Sequence, residues 1–303
     1  MKKASRLLIA SLATFGFVGS AVAEDAPATE PDPNADPNAA PPPDGTVADP
    51  NAPAMPDPNA PAASGKWPRS VIARPLTLPA GVFMVGADIV NFTNSFFDPA
   101  LIRVLVGYGI TDDIELAFAH YAFPTSDVGK GAIAAGLGYK LARRAMGGKL
   151  EAVARAEIGY DLAASVDLTT GETSGAVSPL GLGVHVQYKV TPKIALVTPG
   201  NQLVIGLDPN FIELDIPVGV GFQATPELYV QLDTTIAAIN IKDSATAVIF
   251  ADTTPLSLTA TYNVMPALDV LAGIALNLTP PDPIGVGDTF AILLGARYYV
   301  GKL

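Results

Sequence analysis

The chain has 303 residues, a formal net charge of -11, no cysteine, 49% hydrophobic residues and only 16% charged ones. Without cysteine there is no disulfide framework, no thiolate metal site, no cysteine nucleophile and no lipid-anchor cysteine of the lipoprotein kind. The acidic balance argues against nucleic acid, which is bound through Lys and Arg on phosphates, and an apolar but charge-poor chain points to a membrane setting.

Lys2, Lys3 and Arg6 precede an apolar run from Leu7 to Val18, and Ala21-Val22-Ala23 comes after it. This is the order of a secretory signal, with cleavage between Ala23 and Glu24. Residues 1–23 are therefore expected to be removed on export. Beyond them no apolar run reaches the ~18 residues of a spanning helix, so a membrane-embedded mature chain must cross as strands.

Residues 24–65 hold eight acidic residues and no Lys or Arg, with Asp-Pro-Asn at Asp32, Asp36, Asp49 and Asp57. Such a composition buries no core and favours extended, solvated backbone. A disordered periplasmic linker is the expectation, either a plain spacer or a tether for a periplasmic or cell-wall partner. A short lead-in, residues 66–80, joins this linker to the C-terminal region.

From Gly81 to the end, segments of 10 to 13 residues alternate apolar and polar positions, the period of a strand. Leu150–Leu162, for example, puts Leu150, Ala152, Ala154, Ala156, Ile158 and Tyr160 on one face, against Glu151, Val153, Arg155, Glu157, Gly159 and Asp161. Related turns recur at Gly109–Asp113, Val190–Pro192, Ala224–Pro226 and Val264–Pro266, with a looser one running to Gly147-Gly148. Five such turns join ten strands, and one strand on each side makes twelve. The strand expected over 193–207 is broken by Pro199-Gly200, and the opposite connections are generally longer.

The aromatics Tyr108, Tyr139, Tyr188, Phe222, Tyr262 and Tyr298 fall on the apolar parity near the short-turn end of returning strands. Rings at one height suit the boundary between hydrocarbon and headgroups. The expected fold is all-β: a transmembrane, antiparallel, up-and-down β-barrel of about twelve strands over 81–303. The apolar parity would meet outer-membrane lipid, with both termini periplasmic.

The opposite parity carries Asp88, Arg103, Glu115, Lys140, Glu151, Arg155, Glu157, Asp161, His185, Lys189, Glu213, Asp215, Asp233, Asp269 and Arg297. These are the expected lumen residues. They either pair into a network that fills the barrel or line a hydrated pore, in which case the acidic excess favours cations. Glycines on the same parity are expected to open the lumen or ease curvature.

The last strand, Leu293-Leu294-Gly295-Ala296-Arg297-Tyr298-Tyr299-Val300, resembles the C-terminal assembly signal of bacterial outer-membrane barrels, through Gly295, Tyr298 and Val300. Leu293 stands where that pattern has a polar residue, and Gly301-Lys302-Leu303 replaces a terminal aromatic. Residues 81–303 resemble porin-like barrels in architecture. The resemblance implies insertion by the outer-membrane barrel assembly machinery of a Gram-negative bacterium and passive transport of ions or small polar solutes.

No catalytic or cofactor motif accompanies this pattern. His120 and His185 lack a partner at metal-ligand spacing. Barrel phospholipases are similar in strand count and use a Ser with a His, yet no serine follows either histidine at short spacing. The Gly219-x-Gly221-x-x-Ala224 match to a dinucleotide fingerprint runs into Thr225-Pro226 rather than a helix. The sequence is thus compatible with three roles: a porin-like channel, a non-conducting barrel whose arm binds envelope partners, or an arm that enters the lumen and gates it.

Overall fold

The computed structural model describes residues 68–92, 101–122, 131–166, 173–177, 179–207, 210–240, 254–278, 286 and 290–301. The expected signal segment 1–23, the linker 24–65 and residues 66–67 of the lead-in lie outside them.

Among the described residues, fourteen strand segments come after a three-residue helical turn, Val71–Ala73. They are β1 (Phe83–Phe92), β2 (Leu101–Gly109), β3 (Ile114–Ala122), β4 (Ala132–Ala145), β5 (Leu150–Val166), β6 (Thr173–Val177) and β7 (Leu180–Thr191). Then come β8 (Ile194–Val197), β9 (Leu203–Leu207), β10 (Asn210–Gln223), β11 (Leu228–Asn240), β12 (Pro255–Met265), β13 (Leu268–Asn277) and β14 (Ala291–Val300). Neighbours in sequence pair antiparallel, and β1 pairs with β14 from Phe83 opposite Val300 to Phe92 opposite Ala291.

Two pairs of segments each make one stave. β6 extends β7 along β5, with Tyr160 opposite Val177 and Glu157 opposite Gly181. β8 and β9 lie end to end between β7 and β10. The fold is therefore a closed antiparallel barrel of twelve staves. Closure removes the exposed edges that an open sheet would present.

The expected break in the seventh stave is present: residues 198–202, with Pro199-Gly200, separate β8 from β9. The fifth turn falls at Met146–Lys149, where Met146, Gly147 and Gly148 all take positive φ. One connection departs from expectation, since β9 reaches β10 through residues 208–209 alone, although it lies at the end where connections are generally longer.

The alternation in sequence is the alternation across the wall. Along β1, Met84, Gly86, Asp88 and Val90 are buried while Phe83, Val85, Ala87 and Ile89 are exposed. Apolar side chains dominate outside, among them Phe118, Leu137, Val220, Ile274 and Leu294. A water-soluble sheet does the reverse and hides that face in a core.

Inside, two apolar clusters sit against β1 and β2. One joins Leu78, Val82, Met84, Leu105, Ala119 and Tyr299, and the other Val90, Leu101, Leu271, Ala291 and Leu293. Leu293, which breaks the polar position of the assembly-signal pattern, thus packs inward.

Candidate functional site

Residues 68–80 do not run along the rim as a simple lead-in. They enter the barrel at the short-turn mouth and cross it as a strap. Pro68, Pro75 and Pro79 keep the segment extended and deprive it of amides a ladder would need. Val71–Ala73 makes its single turn, flanked by extended Ser70 (ψ 122°) and Arg74 (ψ 153°). Further backbone donors of the strap are met by side chains of the wall. The Ile72 N–H donates to Gln223 Oε1 (3.1 Å), Leu76 to Glu151 Oε1 (3.1 Å) and Leu78 to Glu115 Oε2 (2.9 Å). Arg155 donates to the Leu76 carbonyl at 2.8 Å.

Two strap arginines reach the opposite wall. Arg74 is buried, forms a two-pronged ion pair with Asp269 and stacks over the Tyr299 ring at 5.6 Å. Arg69, more exposed, donates to Asn263 (3.2 Å) and Glu227 (3.1 Å). Val71 and Ile72 pack with Ala195 and Tyr229. All these wall residues lie at the short-turn ends of β3, β5, β8 and β10–β14, so the strap spans that mouth.

The strap leaves over Gly109. A Cβ there would stand 2.0 Å from the Pro79 carbonyl oxygen, and the chain then turns into β1 at Gly81, whose φ is +77°. Only a residue without a side chain permits that backbone approach.

The charged residues of the inner parity fall into two groups. Toward the short turns they are paired: Lys140 with Glu151 at 3.2 Å, Arg155 with Glu115 at 2.6 Å, and Asp269 with Arg74. Arg297 is buried beside Asp269, its partner in register on β13. Lys189 lies at the same end, on β7. Toward the other mouth, Arg103 is ion-paired with Asp88. There Glu157, Asp161, Glu213, Asp215 and Asp233 share the inward parity, and acids outnumber bases. Asp233 accepts from Gln231 Nε2 (2.9 Å), whose Oε1 in turn accepts from Tyr229 OH (2.7 Å).

At mid-height a second element leaves the wall. Residues 199–201 step inward between β8 and β9, above the inner glycines of β7. A Cβ at Gly181 would lie 2.2 Å from the Asn201 amide nitrogen, and one at Gly183 would lie 2.7 Å from Gln202 Oε1. The ladder is patched by side chains: Val186 N–H donates to Thr198 Oγ1 (2.8 Å), and Val184 N–H donates to Gln202 Oε1. His185 is buried beside Gly200. Beside this detour a small recess is lined by Glu115, Gly138, Arg155, Glu157, His185 and Asn201. Among the described residues no group of three His, Asp or Glu is placed to hold a metal.

Of the two expectations for the inner glycines, opening the lumen fails at four positions. Gly138 lies under Glu115, Gly219 under Asp233, Gly221 under the Tyr229 hydroxyl and Gly295 under Asp88. Each space is filled by a neighbouring strand's long side chain. Sequence reasoning also missed Arg74, Gln223 and Asn263. The sequence-level sign of the strap is an apolar-and-proline segment, Val71 to Pro79, too rich in Val, Ile and Leu for a solvated linker.

On the outer face Tyr108, Tyr139, Phe222, Tyr262 and Tyr298 are 45–52% exposed, with Tyr188 half-buried on the same parity. All stand near short-turn ends. His120 also points outward, near the other end of β3. Apolar outside, polar and packed inside, closed and even-numbered: this is the architecture of a transmembrane β-barrel.

No family model matches the chain, and no curated protein does. Solved structures do. The KdgM porin aligns with 71% of this chain and 98% of its own, at 7% identity and a TM-score of 0.45. The NanC porin aligns with 71% and 98%, at 8% identity and a TM-score of 0.46. The Acinetobacter baumannii outer membrane protein Omp33 aligns with 73% and 98%, at 11% identity and a TM-score of 0.38.

Proposed function

We propose that the chain is a porin-like passive channel of a Gram-negative outer membrane, carrying ions or small polar solutes with a mild preference for cations. In this reading the signal segment is cleaved after Ala23, the assembly machinery inserts the barrel, and the short turns and both termini face the periplasm. The aromatic ring then sits at the periplasmic interface. No catalytic step is assigned.

The observation that carries the reading is the surplus of inward carboxylates beyond the strap, at Glu157, Asp161, Glu213, Asp215 and Asp233. A bore with acidic walls raises the local concentration of cations. Purified full-length protein in a planar bilayer tests it: under a salt gradient the reversal potential should shift toward that of the cation. Absence of any conductance, in the wild type and in a variant whose strap is displaced, would remove the reading.

A second reading is favoured by the filled short-turn half. A non-conducting barrel would use its ion pairs and strap as permanent packing and its acidic arm as the contact for envelope partners or cell wall. Deleting residues 24–65 separates the two: altered envelope integrity on deletion, with no conductance in the full-length barrel, supports the second.

A further inference from the structure

We propose that the strap, residues 69–80, is a releasable plug: the resting barrel is shut at its short-turn mouth, and solute passes when this segment leaves. The inference rests on the channel reading and adds its regulation.

The first support is how the strap is held. Among the described residues it shares no ladder with the wall. From Gln223 on one side to Glu115 and Glu151 on the other, wall side chains take its amides. Local openings of this sort are cheaper than unzipping a strand, because few backbone bonds must break together.

The second support is the state of the wall once the strap is gone. A permanent strut would leave its partners as orphaned buried charges, at high cost. Here each buried carboxylate of the wall keeps a second partner of its own. Glu151 holds Lys140 at 3.2 Å, and Glu115 holds Arg155 at 2.6 Å. Asp269 accepts from Asn263 Nδ2 at 2.8 Å, and the Gln223 amide already donates to the Thr225 carbonyl at 2.7 Å. Water admitted by the departure solvates what remains. Leaving therefore breaks the Arg74–Asp269 and Arg69–Glu227 pairs and the Thr77 and Ala80 hydrogen bonds to Asp112, and it exposes the faces of Val71, Ile72, Leu76 and Leu78; those contacts set the resting closure.

The third support is the hinge. The segment is tethered at Gly81, whose amide donates to the Gly109 carbonyl at 2.8 Å and begins the β1–β2 ladder. Glycine at both positions lets the chain swing at the rim without disturbing a strand.

The absence of cysteine makes the test direct. Leu76→Cys in the full-length chain places a single thiol on the buried face of the strap, to be probed with a charged, membrane-impermeant thiol reagent. Recordings compare the wild type, Arg74→Ala, and a variant with residues 71–77 replaced by Gly and Ser, which touches no strand should Arg74→Ala fail to fold. Heat-modifiable migration verifies the barrel in each. The expected result is brief, sparse openings in the wild type and sustained openings in both variants. Thiol labelling should be roughly a hundredfold faster with Arg74→Ala, since one partner of a buried pair is lost. Equal, sustained conductance in all three proteins overturns the plug and leaves the channel standing. Accelerated labelling without conductance in any variant overturns the plug together with the channel.

Discussion

The two halves of the barrel interior are built on different principles. The short-turn half is packed: a strap crosses it, apolar side chains fill beside it, and its principal carboxylates, Glu115, Glu151 and Asp269, each face a cation. The opposite half pairs Asp88 with Arg103, holds the apolar cluster around Val90, Leu101 and Leu293 on one side, and gathers acids on β5, β10 and β11. One wall thus carries a stopper at one end and an acidic vestibule at the other. Filling and charge are separable properties of one stave pattern, because alternate residues of a strand see the interior whatever their chemistry.

The largest expected effect breaks the packed half. Asp269→Ala leaves the buried Arg74 guanidinium without its carboxylate and should cost about 3–5 kcal/mol, read as a lower urea midpoint for loss of the heat-resistant gel band. Next comes a control that touches neither half's interior. Leu294→Arg places a charge on the outer face at the middle of β14 and should destabilise by about 2–4 kcal/mol in lipid. The same assay in bilayers should show that loss, with an unchanged ratio of cation to anion permeability.

A smaller change sharpens the contrast by displacing the strap alone. Gly109→Ala drives a methyl into the Pro79 carbonyl, and the overpacking should cost about 1–3 kcal/mol. Trypsin should then cut after Arg69 faster than in the wild type. The smallest stability change belongs to the acidic half. Glu213→Gln with Asp215→Asn should alter stability by no more than about 0.5 kcal/mol, while the reversal potential moves toward zero selectivity. A stability loss there as large as that of Asp269→Ala would erase the distinction between the halves.

How much was legible in the sequence depends on the range of the interactions. Parity, turn chemistry and strand number are local, so Leu150–Leu162 declares its two faces and Pro199-Gly200 declares a broken stave without any tertiary knowledge. The strap is not local. Arg74 and Asp269 are 195 residues apart, and no period marks Val71–Pro79 because its amides bond to side chains of distant strands. Glycines mislead for the same reason. Gly219 announces a space on its own strand, but the Asp233 that occupies it comes from the next one. Leu293 was legible as a departure from a pattern, and its inward packing supplies the cause.

The patched seventh stave has a consequence of its own. Where residues 199–201 leave the sheet, Thr198 and Gln202 stand in for missing rungs, so the amides of Val184 and Val186 are not left bare. Such a repair uncouples the length of the inward excursion from the integrity of the cylinder. Insertions or deletions at that point can narrow or widen the bore while the neighbouring staves keep their register, which makes it the position where descendants of this barrel can change what fits through it at the least cost to folding.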